Sequence, residues 1–228
     1  MSDTMLRNTS LDVAASSVRE VNRALKSASE GSFEVLNPGG AHALACGLDA
    51  PVDVLIKGHA GYYCAGMNKN ANITIDGNAS TGLAENMMSG TVRVKGNVSQ
   101  SAGATAHGGL LVIEGDASAR CGISLKGAEI VVGGSVGHMS AFMAQAGALV
   151  VCGDAGEALG DSIYEARLYV RGSVTSLGAD CIEKEIRDEH REQLADLLSR
   201  ANIQADIADF KRYGSARQLY NFKIDNAY

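Results

Sequence analysis

With 228 residues the chain is long enough for one main domain, and its hydrophobic content of 46% is ordinary for a globular protein. A net charge of −6 argues against nucleic acid or an anionic membrane as a partner, because both call for a basic face. The chain lacks an apolar run of about 18 residues and a signal-peptide pattern, so we expect a cytoplasmic protein.

The first predicted element is an amphipathic helix over residues 16–28. Val18, Val21 and Leu25 give it one apolar face. It belongs to an N-terminal segment, residues 1–38, that precedes a repeat region. We expect this helix to cap one end of the repeats, because the outermost unit of a β-repeat otherwise exposes unpaired strand edges.

A glycine recurs every 19 residues through the middle of the chain, which we define as the repeat region, residues 39–181. The repeat glycines at this spacing are Gly58, Gly77, Gly96, Gly115, Gly134, Gly153 and Gly172. So short a unit cannot form a domain alone and must pack on its neighbours. An α-helical repeat needs at least about 33 residues, so the period favours a β-solenoid.

The residues four and two positions before each repeat glycine are all Val, Ile or Leu, as in Val54 and Ile56. The position between them varies, and this alternation is typical of strands with one buried face. Two residues after each glycine stands Ala or Val, which indicates a second buried row. These patterns predict an all-β fold: a right-handed parallel β-helix with about seven coils of 19 residues, flanked by N- and C-terminal helices.

Stacked coils bring the position before each glycine into a column, whose charges alternate from Lys57 through Asp76 and Lys95 to Glu114. Facing opposite charges stabilise neighbouring strands. We therefore expect Lys95→Asp to lower the melting temperature more than Arg93→Asp does. The position after each glycine predicts a polar ladder on the outside, formed by His59, Asn78, Asn97, Asp116, Ser135, Asp154 and Ser173.

The C-terminal segment, residues 182–228, is predicted to hold a second helix and an arm. Asp180 and Glu183 resemble a capping box that opens a helix reaching about Arg200, and this helix is expected to cover the other end of the rod. Residues 210–228 are rich in aromatic and basic side chains. They suit an arm packed on its own rod or a docking arm for another subunit equally well. Single-stranded RNA is a weaker alternative because the chain is acidic.

Residues suited to catalysis or metal binding are scattered over the repeat. The five cysteines form no Cys-x-x-Cys pair and the five histidines fall in different repeat positions, so we expect free buried thiols and no metal site. Asp161, Ser162 and Tyr164 suit a hydrogen-bonded turn better than a catalytic group. Arg120 beside Cys121 could hold an anion or an activated thiol, but a corner arginine next to a buried thiol is the simpler interpretation.

Large side chains replace small ones at some corners of the coil, as at Met88 and Phe142. Methionine-rich protruding corners suit an adaptable contact surface, or a patch covered by the terminal helices. The candidate partner interface comprises Met88, Arg120, His138, Phe142, Asp161, Tyr164, Arg212, Tyr213, Arg217 and Tyr220. We expect no catalytic, cofactor-binding or metal-binding residue in this chain.

Several stretches resemble a known family. The recurring small-residue coils resemble the GXGXG β-helix domain at the C-terminal end of the large glutamate synthase chain. More specific are SVGHMSAFMAQ (135–145), GDSIYEA (160–166) and YGSAR (213–217). These stretches resemble the stand-alone β-helix subunit of N-methylglutamate synthase, also called a glutamate synthase-like protein. The resemblance spans about residues 30–228.

The resemblance implies a non-catalytic structural subunit within a hetero-oligomer. In that family a glutamine-amidotransferase-like subunit and an FMN- and iron–sulfur-containing synthase subunit carry the chemistry, which exchanges ammonia on glutamate for methylamine. The β-helix subunit orients them. FMN and the iron–sulfur cluster are thus implied in a partner, with no cofactor in this chain. No catalytic residue of the family maps onto this sequence.

Alternatives remain at this point. The chain could be a structural subunit of another glutamate-synthase-like complex. It could also be a stand-alone β-helix enzyme acting on polysaccharide, although such an enzyme needs acidic pairs in adjacent coils, and Lys95 separates Asp76 from Glu114. A hexapeptide-type acyltransferase is disfavoured because the 19-residue coil lacks the six-residue period.

Overall fold

The structure, a computed structural model, describes residues 9–216. Its helices are α1 (Val18–Ser27) and α2 (Asp188–Ala201), and a 3₁₀ turn spans Ile207–Asp209. Its strands are β1 (Thr9–Asp12), β2 (Gly31–Leu36), β3 (Val52–Ile56), β4 (Asn72–Ile75), β5 (Thr91–Val94), β6 (Leu110–Ile113), β7 (Lys126–Val132), β8 (Ala146–Val151), β9 (Arg167–Val170), β10 (Cys181–Lys184) and β11 (Lys211–Ser215).

Strands β1 to β9 stack in chain order as one parallel sheet. Through the repeats the paired residues are one 19-residue period apart, so Val54 faces Ile73 and Ile73 faces Val92. A second row of parallel bridges runs from Ala60 to Val174 at the same spacing. The predicted parallel β-helix of about seven coils, flanked by two helices, is confirmed.

From Gly77 to Gly172, each repeat glycine lies where its coil passes close to the coil before it. A Cβ on Gly96, Gly115 or Gly134 would strike the ladder side chain 18 residues earlier, and would lie 3.0 Å from the carbonyl carbon of the preceding repeat glycine. The φ angles of these three glycines are not in the left-handed region. Close approach, and not conformational freedom, therefore requires glycine here.

The polar ladder after each glycine binds the backbone of the next coil. Asn97 Oδ1 accepts a hydrogen bond from the Asp116 N–H at 2.9 Å, and Asp116 Oδ1 accepts one from the Ser135 N–H at 2.7 Å. The same contact recurs in each coil from His59 to Ser173. The ladder is confirmed, and it satisfies a row of backbone donors at the bend of the coil.

The predicted charge column is only partly formed. Lys95 Nζ lies 3.2 Å from Asp76 Oδ1, but Glu114 pairs with Arg93 instead, at 3.0 Å. Arg93 is long enough to reach diagonally across to the next strand. Its Nη2 also donates to the carbonyl of Ala201 at 2.8 Å. This geometry predicts a larger decrease in melting temperature for Arg93→Asp than for Lys95→Asp, which is the reverse of the order expected from the sequence.

Helix α1 closes the first coil, as predicted. A capping box starts the helix, with Ser17 Oγ accepting from the Glu20 N–H at 3.2 Å. Asn22 then donates to the Ala43 carbonyl at 2.7 Å and accepts from the Ala45 N–H at 2.8 Å. These bonds satisfy backbone groups at the otherwise open edge of the coil.

The main core runs along the inside of the coils. It consists of the paired Val, Ile and Leu columns and the Ala/Val row that the repeat predicts. Val21 and Leu25 of α1 belong to it, and so does Tyr213 of β11. Burying each Val, Ile or Leu side chain contributes about 1.5–3 kcal/mol, so these columns stabilise the rod along its whole length.

A second core, the side core, lies outside the coils. It joins the outward face of β6 to β9 with the apolar face of α2, and it includes Val112, Val131, Val150, Tyr169, Leu194, Leu197, Leu198 and Ala201. Helix α2 therefore packs against the side of the rod. The expectation that this helix covers the end of the rod is wrong.

Antiparallel strands occupy the C-terminal end of the sheet instead. Strand β11 pairs with both β9 and β10. The helix predicted from Asp180 is wrong, because Asp180 has a φ of 63° and cannot take the extended conformation of an N-cap. Helix α2 begins after Arg187, whose N–H donates to His190 Nδ1 at 3.0 Å.

Candidate partner-binding surface

One side of the rod is formed by irregular segments, which we call the turn segments: residues 62–69, 81–88, 100–107, 119–126, 138–145 and 157–164. In each of them the second, fourth and sixth residues have positive φ. Met139, Ala141 and Met143, for example, have φ of 56°, 58° and 53°. Such a conformation costs about 1–2 kcal/mol per non-glycine residue, so the surrounding structure must enforce it.

Hydrogen bonds to both neighbouring coils enforce this conformation. The N–H groups of Met139 and Met143 donate to the next coil, at Glu157 and Asp161, each at 2.8 Å. The N–H of Ala141 donates to the coil before, at Cys121, also at 2.8 Å. Every turn segment is thus fixed from both sides and presents its side chains about 4.8 Å from those of the next coil.

Large apolar side chains are exposed on these segments. Tyr62 is 50% exposed, Met67 48%, Met88 47% and Met143 39%, while Phe142 is half-buried. We call the exposed side of the turn segments the turn face. Exposed Met and aromatic side chains along one side of the rod make the turn face a candidate contact surface, because such side chains bury apolar area and adapt to a partner.

The predicted interface residues of the repeat region all lie on the turn segments. The Arg120 N–H donates to the His138 carbonyl at 2.9 Å, and both side chains are exposed. Phe142 and Asp161 occupy equivalent positions in adjacent coils. Met88 and Tyr164 share one column but are four coils apart, roughly 19 Å at the strand spacing.

Two of these positions have a structural explanation as well. Asp161 Oδ1 accepts from Ser162 Oγ at 2.8 Å and its Oδ2 accepts from the Ala179 N–H at 3.2 Å, which is the hydrogen-bonded turn favoured by the sequence. Cys121, next to Arg120, is fully buried, and burial raises the pKa of its thiol to about 12. Such a thiol is protonated at neutral pH, so the activated-thiol alternative is wrong.

The residues predicted in the C-terminal arm lie elsewhere. Tyr213 is buried in the main core, which favours an arm packed on its own rod for residues 211–215 and corrects the place of Tyr213 in the interface. Arg212 lies beside α2, where it donates to the Glu185 carbonyl at 3.0 Å. Arg217 and Tyr220 lie outside the described residues.

Sequence reasoning missed an aromatic cluster at the other end of the turn face. The rings of Tyr62 and Tyr63 have centroids 5.7 Å apart, and His42 meets Tyr62 edge-on at 6.2 Å. The adjacent tyrosines stand where the other coils carry smaller or polar residues, so comparison of equivalent repeat positions would have revealed them.

The described residues contain no cluster of three or more His, Cys, Asp and Glu side chains placed to hold a metal ion. Neither helix within residues 9–216 combines the length and apolar character needed to cross a membrane.

Coils of 19 residues, a dry aliphatic interior and an exposed turn face define a parallel β-helix protein of the solenoid class. No protein-family model matches the chain. It is 60% identical over 223 residues to Protein GlxC of Rhizobium meliloti (strain 1021), an alignment that covers 95% of this chain and 97% of that protein. The chain therefore belongs to the GlxC family.

Proposed function

We propose that this chain is a non-catalytic structural subunit of a glutamate-synthase-like complex, specifically a cytoplasmic N-methylglutamate synthase. Its turn face orients two partners: a glutamine-amidotransferase-like subunit and a synthase subunit that carries FMN and an iron–sulfur cluster. A rigid subunit suits this role because fixed spacing and angle reduce the positional freedom of the sites it joins.

The position of the resembling sequence stretches carries the proposal. SVGHMSAFMAQ (135–145) contributes His138, Phe142 and Met143 to the turn face, and GDSIYEA (160–166) contributes Asp161 and Tyr164. Interior columns of a β-helix need only be aliphatic, whereas these two stretches also place large and polar side chains on the turn face. A likeness concentrated on such a surface supports a shared partner more strongly than a shared fold.

A native pull-down tests the partner role. We expect the full chain to co-purify with both partner subunits, identified by mass spectrometry, and Met143→Glu to lose at least one of them. The matched control is Ile182→Glu, because Ile182 is an equally exposed apolar side chain, 43% accessible, that lies in β10 away from the turn face. Full assembly of the Met143→Glu variant would contradict the proposed surface.

The terminal arm needs a different truncation from the one its composition suggests. Removing residues 209–228 would delete β11 and with it Phe210 and Tyr213, both of which are buried. Removing residues 217–228 deletes none of the described residues. Loss of a partner in this shorter deletion, with an unchanged melting temperature, would assign docking to the last twelve residues.

The reaction of the complex separates N-methylglutamate synthase from another glutamate-synthase-like complex. The purified assembly should form N-methylglutamate from glutamate only when methylamine is supplied. Formation of glutamate from glutamine without methylamine dependence would favour the alternative complex. Cleavage of polysaccharide by the isolated chain would overturn both.

A further inference from the structure

A cleft with a concentration of positive charge lies at the C-terminal end of the rod, between the start of α2 and strands β9, β10 and β11. Its volume is about 410 Å³. Arg167, Lys184, Arg187 and Arg212 line it, together with the carboxylates of Glu185 and Glu189. Four positive and two negative charges give the lining a net charge of +2, in a chain whose net charge is −6.

Three of these cations have no ion-pair partner among the described residues: Arg167, Lys184 and Arg212. Arg187 does pair with Glu185, at 3.3 Å, but both of these side chains are exposed. The two carboxylates therefore offset only part of the positive charge of the lining. Like charges held together in this way are destabilising unless an anion binds among them.

Arg212 is the most constrained of these cations. Its Nη1 donates to the Glu185 carbonyl at 3.0 Å, while its Nε is buried and has no hydrogen-bond partner in the described part of the chain. Burial lowers the pKa of Arg212, and the charges of Arg167 and Arg187 lower it further, while Tyr169 and Glu189 act in the opposite direction. An oxyanion bound in the cleft would offset the repulsion between Arg212, Arg167 and Arg187.

Hydrogen bonds also hold Arg167 and His190 in place. Arg167 Nη1 donates to Gln193 Oε1 at 3.0 Å, and the Tyr169 hydroxyl donates to the same oxygen at 2.8 Å. His190 is buried, and its Nδ1 accepts from the Arg187 N–H, so the neutral ring carries its proton on Nε2. A preordered set of donors loses little conformational entropy when a ligand binds.

We propose that this cleft is a binding site for a small oxyanion, a carboxylate or a phosphate, held by the guanidinium groups of Arg212, Arg167 and Arg187. Guanidinium groups match the geometry of both oxyanions through paired N–H donors. The volume lies within the range of small-molecule pockets. This site is separate from the turn face, so the proposal does not depend on assembly with partner subunits.

Isothermal titration calorimetry of the isolated full chain tests the site with two probes, inorganic phosphate and glutarate, at constant ionic strength. We expect saturable binding of at least one probe. Arg212→Gln and Arg187→Gln should each weaken that binding roughly tenfold or more, since each removes a charge-assisted donor. Binding of phosphate alone or of glutarate alone would assign the class of oxyanion.

Arg191→Gln is the matched control, because Arg191 is an exposed arginine in the first turn of α2 that does not line the cleft. Its affinity should stay within about twofold of the unmodified chain. If Arg212→Gln fails to fold, as judged by circular dichroism, Arg187→Gln decides, because Arg187 is exposed. Absence of saturable binding for both probes, or an equal loss in Arg191→Gln, would overturn the proposal.

Discussion

Replacement of Arg93 by Asp is the sharpest test of how α2 is fixed to the rod. Arg93 reaches from β5 to the last turn of α2 and is only 21% exposed. It bonds both Glu114, at 3.0 Å, and the Ala201 carbonyl, at 2.8 Å. Lys95, just beyond the end of β5, is 48% exposed, and its one ion pair within the described part of the chain is with Asp76.

The contacts give the size of the effect. A hydrogen bond from a charged donor contributes about 1.5–3 kcal/mol, and a partly exposed ion pair up to about 1 kcal/mol. We expect Arg93→Asp to lower the free energy of unfolding by about 3 kcal/mol and the melting temperature by roughly 6–12 °C. Lys95→Asp removes one exposed pair and should cost about 1 kcal/mol, or roughly 2–4 °C.

Thermal unfolding followed by circular dichroism measures both variants. Hydrogen exchange at the end of α2 adds a local readout, because only Arg93→Asp removes the contact with Ala201. A decrease for Lys95→Asp as large as that for Arg93→Asp would refute the assigned contacts, and so would unchanged exchange in α2.

Three further predictions concern the coils. Gly115→Ala should destabilise the rod by about 2–4 kcal/mol in chemical denaturation, because the new Cβ strikes Asn97 Oδ1, and a loss under 1 kcal/mol would refute the close approach. Ser124→Gly should stabilise it by about 0.5–1 kcal/mol because Ser124 has a φ of 52°, whereas Ser118→Gly, at a position without positive φ, should destabilise it similarly. Above about pH 9 the thiols of the unfolded chain ionise, while Cys121 in the folded chain, with a pKa of about 12, stays neutral. The free energy of unfolding should therefore fall as pH rises. Cys121→Ala should make this fall less steep between pH 8 and 10, as measured by chemical denaturation.

The interior of the rod could be predicted in detail from the sequence because every coil solves the same packing problem. A column such as Val54, Ile73 and Val92 repeats one residue class at one spacing, and any other register would expose it. The polar ladder could be predicted from the sequence for the same reason. Repetition supplies many independent observations of one local structure, which a single strand does not.

The side core could not be found in this way. The strand position between the two aliphatic columns reads Leu55, Thr74 and Arg93 in the first coils but Val112 and Val131 later on, so over the whole repeat it appeared merely variable. Its apolar part becomes meaningful only when α2, distant in sequence, is known to cover it. When the element that covers a surface lies far along the chain, the sequence near that surface shows no periodicity that reveals the contact.

Helix α2 also accounts for the difference between the outward face of the sheet and the turn face. Helix α2 buries the outward face of β6 to β9, so the apolar side chains there have a partner within the chain. Among residues 9–216 no helix covers Met67, Met88 and Met143 on the turn segments, although the backbone of these segments is fixed by bonds to both neighbouring coils. An exposed apolar residue on a flexible loop can collapse onto its own protein, but these cannot. They remain available for the contact with a second protein that we propose above.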